Sequence, residues 1–397
     1  MNRARELSGR IAIAGLGMTE MGKVYGRTAM GFAVEAVALA AEDAGVGLAE
    51  IDGLLINPGV GGDIGPPLQA ALGLRDLRLL SAMQGFGSSA GGMVQYAGLA
   101  IDAGMADVVA CVYADAPLRK DAGTGAAYSG AARPGASLDR LPSAAGLNTA
   151  AAKYALAARR YMERYGTTSE QLGAVAVAAR QWAALNDRAQ MKDRKLTLED
   201  HQTSRMIADP LRLFDCCLVS NGGIAVIVTS DERARDLRRP PVYVLGWGQG
   251  HPGHPMGRGS EFGLVTGAAA SGAAAFAMAG LGPADVDVRE IYDCFTYTTV
   301  VSLEDYGFCA KGEGGAFAAS GALAPGGDHP TNTGGGQLSS YYMWGMTPLS
   351  EGIIQARGDG GVRQVDGAEV VLVSGNGGVV DYHSTLLLSP SPSSRGR

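Results

Sequence analysis

The sequence predicts an α/β protein built from two similar halves, and three observations carry that expectation. Short apolar runs such as 11–17 (IAIAGLG), 51–57 (IDGLLIN) and 108–114 (VVACVYA) alternate with Ala-rich helical stretches such as 30–44, which Gly45 stops. After the linker RRPP at 238–241 the pattern starts again, with 242–248 (VYVLGWG) mirroring 11–17. Finally, 44–57 (AGVGLAEIDGLLIN) overlays 279–292 (AGLGPADVDVREIY) at a constant offset of 235 residues, each reading as a helix end, a turn and a strand.

The bulk properties fit such a chain. Its 397 residues suffice for roughly two to three structural units. With 46% hydrophobic residues, 60 glycines and 6% aromatics, it suits Ala/Gly helices laid tightly on sheets. A net charge of −6 without a Lys/Arg block argues against nucleic acid as a partner. Five cysteines without a CxxC pair predict buried thiols in a reducing compartment, with neither a disulfide frame nor a zinc site. No apolar run approaches 18 residues and the start lacks a signal-peptide pattern, so a cytoplasmic location away from membranes is expected.

Along the chain, the GLG at 15–17 lacks the third glycine and the prompt helix of a dinucleotide fingerprint. The segment 79–94 (LLSAMQGFGSSAGGMV) reads as a strand, a Gly/Ser turn and a helix. Such a turn points backbone N–H groups and the positive end of a helix at a ligand. It offers Gly87 and Ser88 but no cysteine, no GxSxG and no histidine nearby to activate the serine. Three units follow: 1–114 with 211–237 as the first half, 115–210 as an inserted loop domain for substrate or partner, and 238–397 as the second half.

The stretch 329–345 (HPTNTGGGQLSSYYMWG) combines a Gly-rich loop through Gly336 with two tyrosines, a composition suited to an active-site loop. It is expected to occupy in the second half the place of the Gly87 turn. A helix opening near Ser339 is expected as well. His251 and His254 (GHPGHP) are close in sequence but lack a third ligand, so substrate contact is preferred to a metal role. No metal motif is visible.

Six segments in order resemble the thiolase superfamily, especially its sterol-carrier and thiolase-like lipid-transfer branches. They are IAIAGLGMTEMGK, DAGVGLAEIDGL, YMERYGTTSEQL, DPLRLFDCCLVSNGGIAVI, EIYDCF and TNTGGG. The resemblance implies a thiolase-like fold, two duplicated α/β halves in a five-layered α-β-α-β-α arrangement. It also places Gly87 where thiolases carry their acyl-accepting cysteine, and Tyr342 where they carry a catalytic histidine. Tyr292 opens the motif Tyr292-Asp293-Cys294-Phe295. Ser374, in SGNGG, falls near the second catalytic cysteine.

Loss of the cysteine together with gain of two tyrosines is the pattern of the steroid side-chain-cleaving aldolases within this superfamily. The resemblance implies retro-aldol cleavage of a β-hydroxyacyl-CoA thioester, with Tyr292 and Tyr342 sharing the acid and base roles in an order left open. It also implies no cofactor beyond the CoA of the substrate, a homodimer, and a small OB-fold/zinc-ribbon partner in an α2β2 complex. Gly87, Ser88, Asp293, Gly336, Gly377, His251 and His254 are the candidates for substrate or CoA contact, the Gly87 and Gly377 loops as oxyanion donors and Asp293 as an orienting group for Tyr292 or a helix cap. The competing readings are an acyltransferase using Ser88 and a non-catalytic acyl-CoA or lipid-binding scaffold.

Overall fold

The structure, a computed structural model, describes residues 3–124, 127, 141–253 and 257–393. Its strands are β1 (Ile11–Met18), β2 (Gly53–Asn57), β3 (Leu79–Ala82), β4 (Val108–Asp115), β5 (Met206–Ala208), β6 (Leu211–Arg212), β7 (Gly222–Ser230), β8 (Val242–Gly250), β9 (Val288–Glu290), β10 (Val371–Gly377) and β11 (Tyr382–Ser389). The longer helices are α1 (Ala29–Ala44), α2 (Ser89–Asp102), α3 (Ala150–Tyr165), α4 (Ser169–Ala183), α5 (Ala268–Ala279), α6 (Thr296–Asp305) and α7 (Met346–Arg357).

Nine strands follow the order β3-β2-β4-β7-β1-β8-β11-β10-β9. Apart from the edge strand β3, the order is symmetric about the seam between β1 and β8. On each side an antiparallel pair leads outward to a parallel pair, β4 with β2 and β10 with β9. Strand β1 pairs with β8 at Ala12 with Tyr243 and Ile13 with Val242, and Gly9 N–H donates to the Val244 carbonyl beside them, so hydrogen bonding links two half-sheets at a narrow seam. Helix α1 covers the outside of the first half-sheet and α5 that of the second, while α2 and α7 each touch strands of both halves. The result is the five-layered thiolase-like arrangement, with α2 and α7 as its central layer.

The repeat at offset 235 has a physical basis. Helix α1 ends on Gly45 and α5 on Gly280, both in the left-handed conformation. The next turn is pinned in each half by a carboxylate: Gly47 N–H donates to Glu50 and Gly282 N–H to Asp285, both at 2.8 Å. Asp52 and Asp287 then accept from the backbone N–H groups that open β4 and precede β10. Asn57 and Tyr292 are therefore equivalent positions, each at the far end of this unit.

The matching glycines of β1 and β8 let the outer helices lie directly on the strands. A Cβ at Gly15 or Gly17 would stand 2.1 and 2.0 Å from the carbonyls of Ala40 and Ala36, and one at Gly246 or Gly248 2.2 and 2.1 Å from those of Ala275 and Ser271. No side chain fits there.

Between β4 and β7 the described residues form α3, α4 and the ribbon β5–β6, outside the large sheet. Thr149 and Thr168 accept from the N–H groups of Ala152 and Gln171 and fix where α3 and α4 begin.

Two expectations about the second half need correction. The turn at the start of α2, Phe86-Gly87, is matched at the start of α7 by Trp344-Gly345 and not by the Gly334–Gly336 loop. Phe86 and Trp344 both adopt left-handed backbone, with φ of 54° and 49°, and their rings meet at 5.8 Å. Nor does a long helix open near Ser339: Gly336–Ser340 forms a single turn, and the true helix waits until Met346.

Gly248→Ala should destabilise the protein by about 1–3 kcal/mol or more through overpacking against α5. Urea denaturation of the variant beside the parent measures this, and an unchanged midpoint would refute the close-packing argument.

Candidate active site

The chain ends of β9 and β10 meet the amino ends of α2 and α7 in the central layer. Tyr292 lies two residues past β9 and is buried. Tyr342 follows the single turn and is half-buried. Its backbone N–H donates to Ser220 Oγ at 2.9 Å, and that oxygen also accepts from Gln190 Nε2 at 2.7 Å. The two hydroxyls face each other at 3.3 Å. This is long for an O–H···O bond and leaves room to tighten around a substrate.

The Tyr292 ring occupies the space that a side chain at residue 87 would need. A Cβ on Gly87 would lie 2.1 Å from Tyr292 Cε2, 2.4 Å from Cζ and 2.3 Å from the Asn376 carbonyl oxygen. A Cβ on Gly345, the matching residue of the other half, would lie 2.0 Å from the Gly87 carbonyl oxygen. The two turns are thus in backbone contact. Asn57, the partner of Tyr292 in the duplication, donates from Nδ2 to the Phe86 carbonyl at 3.2 Å and holds the turn in place.

Burial pushes the Tyr292 hydroxyl well above its usual value near 10; nearby Cys294 adds to the rise, and the hydrogen bond with Tyr342 offsets only part of it. Tyr292 therefore keeps its proton at ordinary pH. Burial likewise raises the thiols of Cys216, Cys294 and Cys309 to about 12, and that of Cys217 well above its usual range. All five cysteines are unpaired thiols. None of these four offers a thiolate to replace the missing nucleophile.

Asp293 is fully buried and accepts from the backbone N–H groups of Gln337 at 2.8 Å and Leu338 at 3.4 Å. These bonds anchor the turn that delivers Tyr342. Burial raises its carboxyl to about 7, against the pull of those N–H donors. Gly336 has φ of 58° and would carry a Cβ 2.0 Å from Asp293 Oδ2, so glycine is required on both counts. Behind it, Thr333 bridges the buried Glu290 and Glu351, and Arg363 donates to both oxygens of Glu351.

Other expected residues are placed differently. The Ser88 hydroxyl donates to the Gly85 carbonyl at 2.7 Å and lacks a histidine partner, so it is not set up as a nucleophile. Gly377 is pressed onto the Gly85 carbonyl, where a Cβ would come within 2.2 Å. Ser374 is tied to His383 Nε2 at 2.9 Å. His251 is exposed, bonded to Gln249 and set against the Tyr382 ring, and His254 lies outside the described residues. Among the described residues no group of three or more His, Cys, Asp or Glu could hold a metal. Two surface clefts, of about 410 and 630 Å3, contain neither tyrosine of the pair.

Two residues escaped the sequence reading. Asn376, on β10, borders Gly87 and Tyr292; it sits two residues beyond Ser374 in SGNGG, on the same strand face. Tyr154, on α3, packs its ring on Phe295 at 4.6 Å and donates its hydroxyl proton to the Gly378 carbonyl. No motif surrounds Tyr154, and only the fold brings it here.

The Thiolase C-terminal domain-like family model matches residues 248–390. Over 391 residues the chain is 39% identical to a steroid side-chain-cleaving aldolase of Thermomonospora curvata, covering 94% of this chain and 96% of that one. The chain belongs to the thiolase-like steroid side-chain-cleaving aldolase family. Within this aldolase family it is also 39% identical, over 396 residues, to the 17-hydroxy-3-oxo-4-pregnene-20-carboxyl-CoA lyase of Mycobacterium tuberculosis, covering 94% of this chain and 98% of that one. The solved Ltp2-ChsH2(DUF35) aldolase superposes with a TM-score of 0.85 at 38% identity, covering 96% of this chain and 98% of that chain. A monomeric SCP2-thiolase-like protein of Mycobacterium smegmatis, at 19% identity and a TM-score of 0.76, shares the fold, covering 98% of this chain and 79% of that chain.

Restoring a cysteine should not restore acyl transfer in this aldolase fold. Gly87→Cys should displace the Tyr292 ring, lower activity and form no acyl adduct with acyl-CoA by intact-mass spectrometry. A stable adduct would contradict the packing described at Gly87.

Proposed function

We propose that this chain is a carbon–carbon lyase. It cleaves the β-hydroxyacyl-CoA thioester of a bulky steroid into a ketone and a shortened acyl-CoA. The observation that carries the reading is the Tyr292 ring seated on Gly87 with its hydroxyl facing Tyr342. The space of a covalent nucleophile is filled by a proton donor.

Retro-aldol cleavage moves one proton from the β-hydroxyl to the α-carbon and breaks the bond between the α- and β-carbons. Tyr342, the more accessible of the pair, takes the hydroxyl proton. Electrons of that O–H bond form the ketone, and those of the broken C–C bond form the thioester enolate. In the same event Tyr342 hands its own proton across the hydroxyl contact to Tyr292 and Tyr292 delivers its proton to the α-carbon, so both tyrosines end as neutral hydroxyls. Passing protons between neutral hydroxyls avoids a buried tyrosinate, which the raised affinity of Tyr292 for its proton disfavours. The amino end of α2, at the Gly87 turn, favours the negative charge of the enolate. Gly87 and Gly336 act here through the close approach they permit, and the reaction as written needs no cofactor beyond the CoA of the substrate.

Several further features support the assembly we infer. β3 is an edge strand and exposes Leu80, which suits a thiolase-like homodimer. The two-part name of the Ltp2-ChsH2(DUF35) aldolase supports a partner protein, which we take to be a small OB-fold/zinc-ribbon chain in an α2β2 complex. Residues 115–210 are read as the loop domain that shapes the substrate or partner region, with 1–114 plus 211–237 and 238–397 as the two halves. Free cysteines, and the absence among the described residues of a helix long and apolar enough to cross a membrane, support a cytoplasmic setting.

Tyr342→Phe and Tyr292→Phe should each lower kcat by about 10²–10⁴-fold with smaller changes in KM, measured with a β-hydroxyacyl-CoA steroid and the partner present. Cleavage at the parental rate by either variant would sink the assignment. Because the Tyr292 proton is held well above pH 10, kcat/KM should not fall on its account between pH 7 and 10. An alkaline loss centred near 8 that disappears in Tyr292→Phe would show the opposite.

A further inference from the structure

Asn376 presents a buried acceptor that the retro-aldol chemistry leaves unused. Its residue is 1% exposed, and its Oδ1 has no hydrogen-bond partner among the described residues. Such an orphan ordinarily destabilises a fold, and a ligand group is one of the partners that can satisfy it.

The orientation of this amide follows from its neighbours. The single hydroxyl proton of Tyr154 is committed to the Gly378 carbonyl. Tyr154 can then only accept from Asn376, and Nδ2 faces it at 3.1 Å. Turning the amide over would set two acceptors against each other without a proton between them. Tyr154 and Gly378 therefore fix Oδ1 as the acceptor left over. The Asn376 backbone borders Gly87 beside the Tyr292 ring, and its side-chain amide meets the hydroxyl of Tyr154, which interacts electrostatically with both Tyr292 and Tyr342, so the amide lies close to the tyrosine pair.

The donors of a β-hydroxyacyl-CoA thioester near its reacting bond are few. The β-hydroxyl proton goes to the tyrosine pair, and the thioester carbonyl only accepts. The next donor is the secondary amide N–H of the pantetheine arm, two methylenes from the sulfur. We propose that Asn376 Oδ1 receives this amide N–H of the thioester arm, with Tyr154 as the positioning residue that holds the Asn376 amide for it. The assignment rests on the CoA-thioester reading of the site and adds to it the group that distinguishes such a thioester from a simple alkyl one.

The test compares two short thioesters of one acyl group without the β-hydroxyl, so that binding is read without cleavage. One is an N-acetylcysteamine thioester, which keeps the N–H, and the other an n-alkyl thioester of matched length, which lacks it. In the full protein with its partner, the parent should bind the first about tenfold more tightly. Asn376→Ala should abolish that ratio, and Tyr154→Phe should reduce it by freeing the amide to turn. Because the readout is a ratio within each variant, a general loss of folded protein lowers both affinities and leaves the ratio intact. A ratio near ten retained in Asn376→Ala, or a ratio near one in the parent, overturns the proposal. A parallel cleavage assay of the parent with a β-hydroxyacyl-CoA steroid reports separately on the lyase reading, since its failure leaves the binding ratio unaffected.

Discussion

The contact between the Tyr292 ring and the bare backbone of Gly87 is the constraint on which this site depends. It requires glycine at 87, because a Cβ would overlap the ring, and it requires that the turn holding Gly87 stay put. Asn57 secures that turn from the first half, and the tight approach of Gly345 secures it from the second. The strained backbones of Phe86 and Trp344, each at the mouth of a central helix, belong to the same arrangement. Left-handed aromatic residues are costly and persist only where packing over-determines them.

This geometry explains how a fold associated with acyl transfer supports a different reaction. Burial keeps the Tyr292 hydroxyl protonated, which suits the proton-donor role proposed for it and not that of a nucleophile. The cysteines around it are raised by the same burial, so electrostatics close the covalent route that sterics already block. Asp293 contributes at one remove. By gripping the N–H groups of Gln337 and Leu338 it fixes the turn from which Tyr342 projects, and a glycine at 336 is the condition for that grip.

The sheet organisation also has functional weight. A narrow seam joins the halves, while α2 and α7 fill the space between them and bring their amino ends together. The equivalence of Asn57 and Tyr292 shows how duplication was diversified: one copy of the position holds a turn, and the other sets a hydroxyl opposite that of Tyr342. Tyr154 ties α3 to the end of β10, linking the region outside the large sheet to the reaction centre.

By itself the sequence determined the α/β class, the duplication and the two tyrosines, because these are written locally. Glycines in IAIAGLG and VYVLGWG, the offset of 235 residues and the motifs around Tyr292 and Tyr342 depend on neighbours along the chain. Only the tertiary structure decided which residues meet across it. It matched Trp344-Gly345, and not the Gly334–Gly336 loop, to the Gly87 turn, since equivalence is set by where each central helix begins. It tied Asp293 to a turn 44 residues away and the Ser88 hydroxyl to the Gly85 carbonyl. Tyr154 and Asn376, 222 residues apart, form a hydrogen bond that no local pattern encodes, because it exists only once α3 has packed against the end of β10.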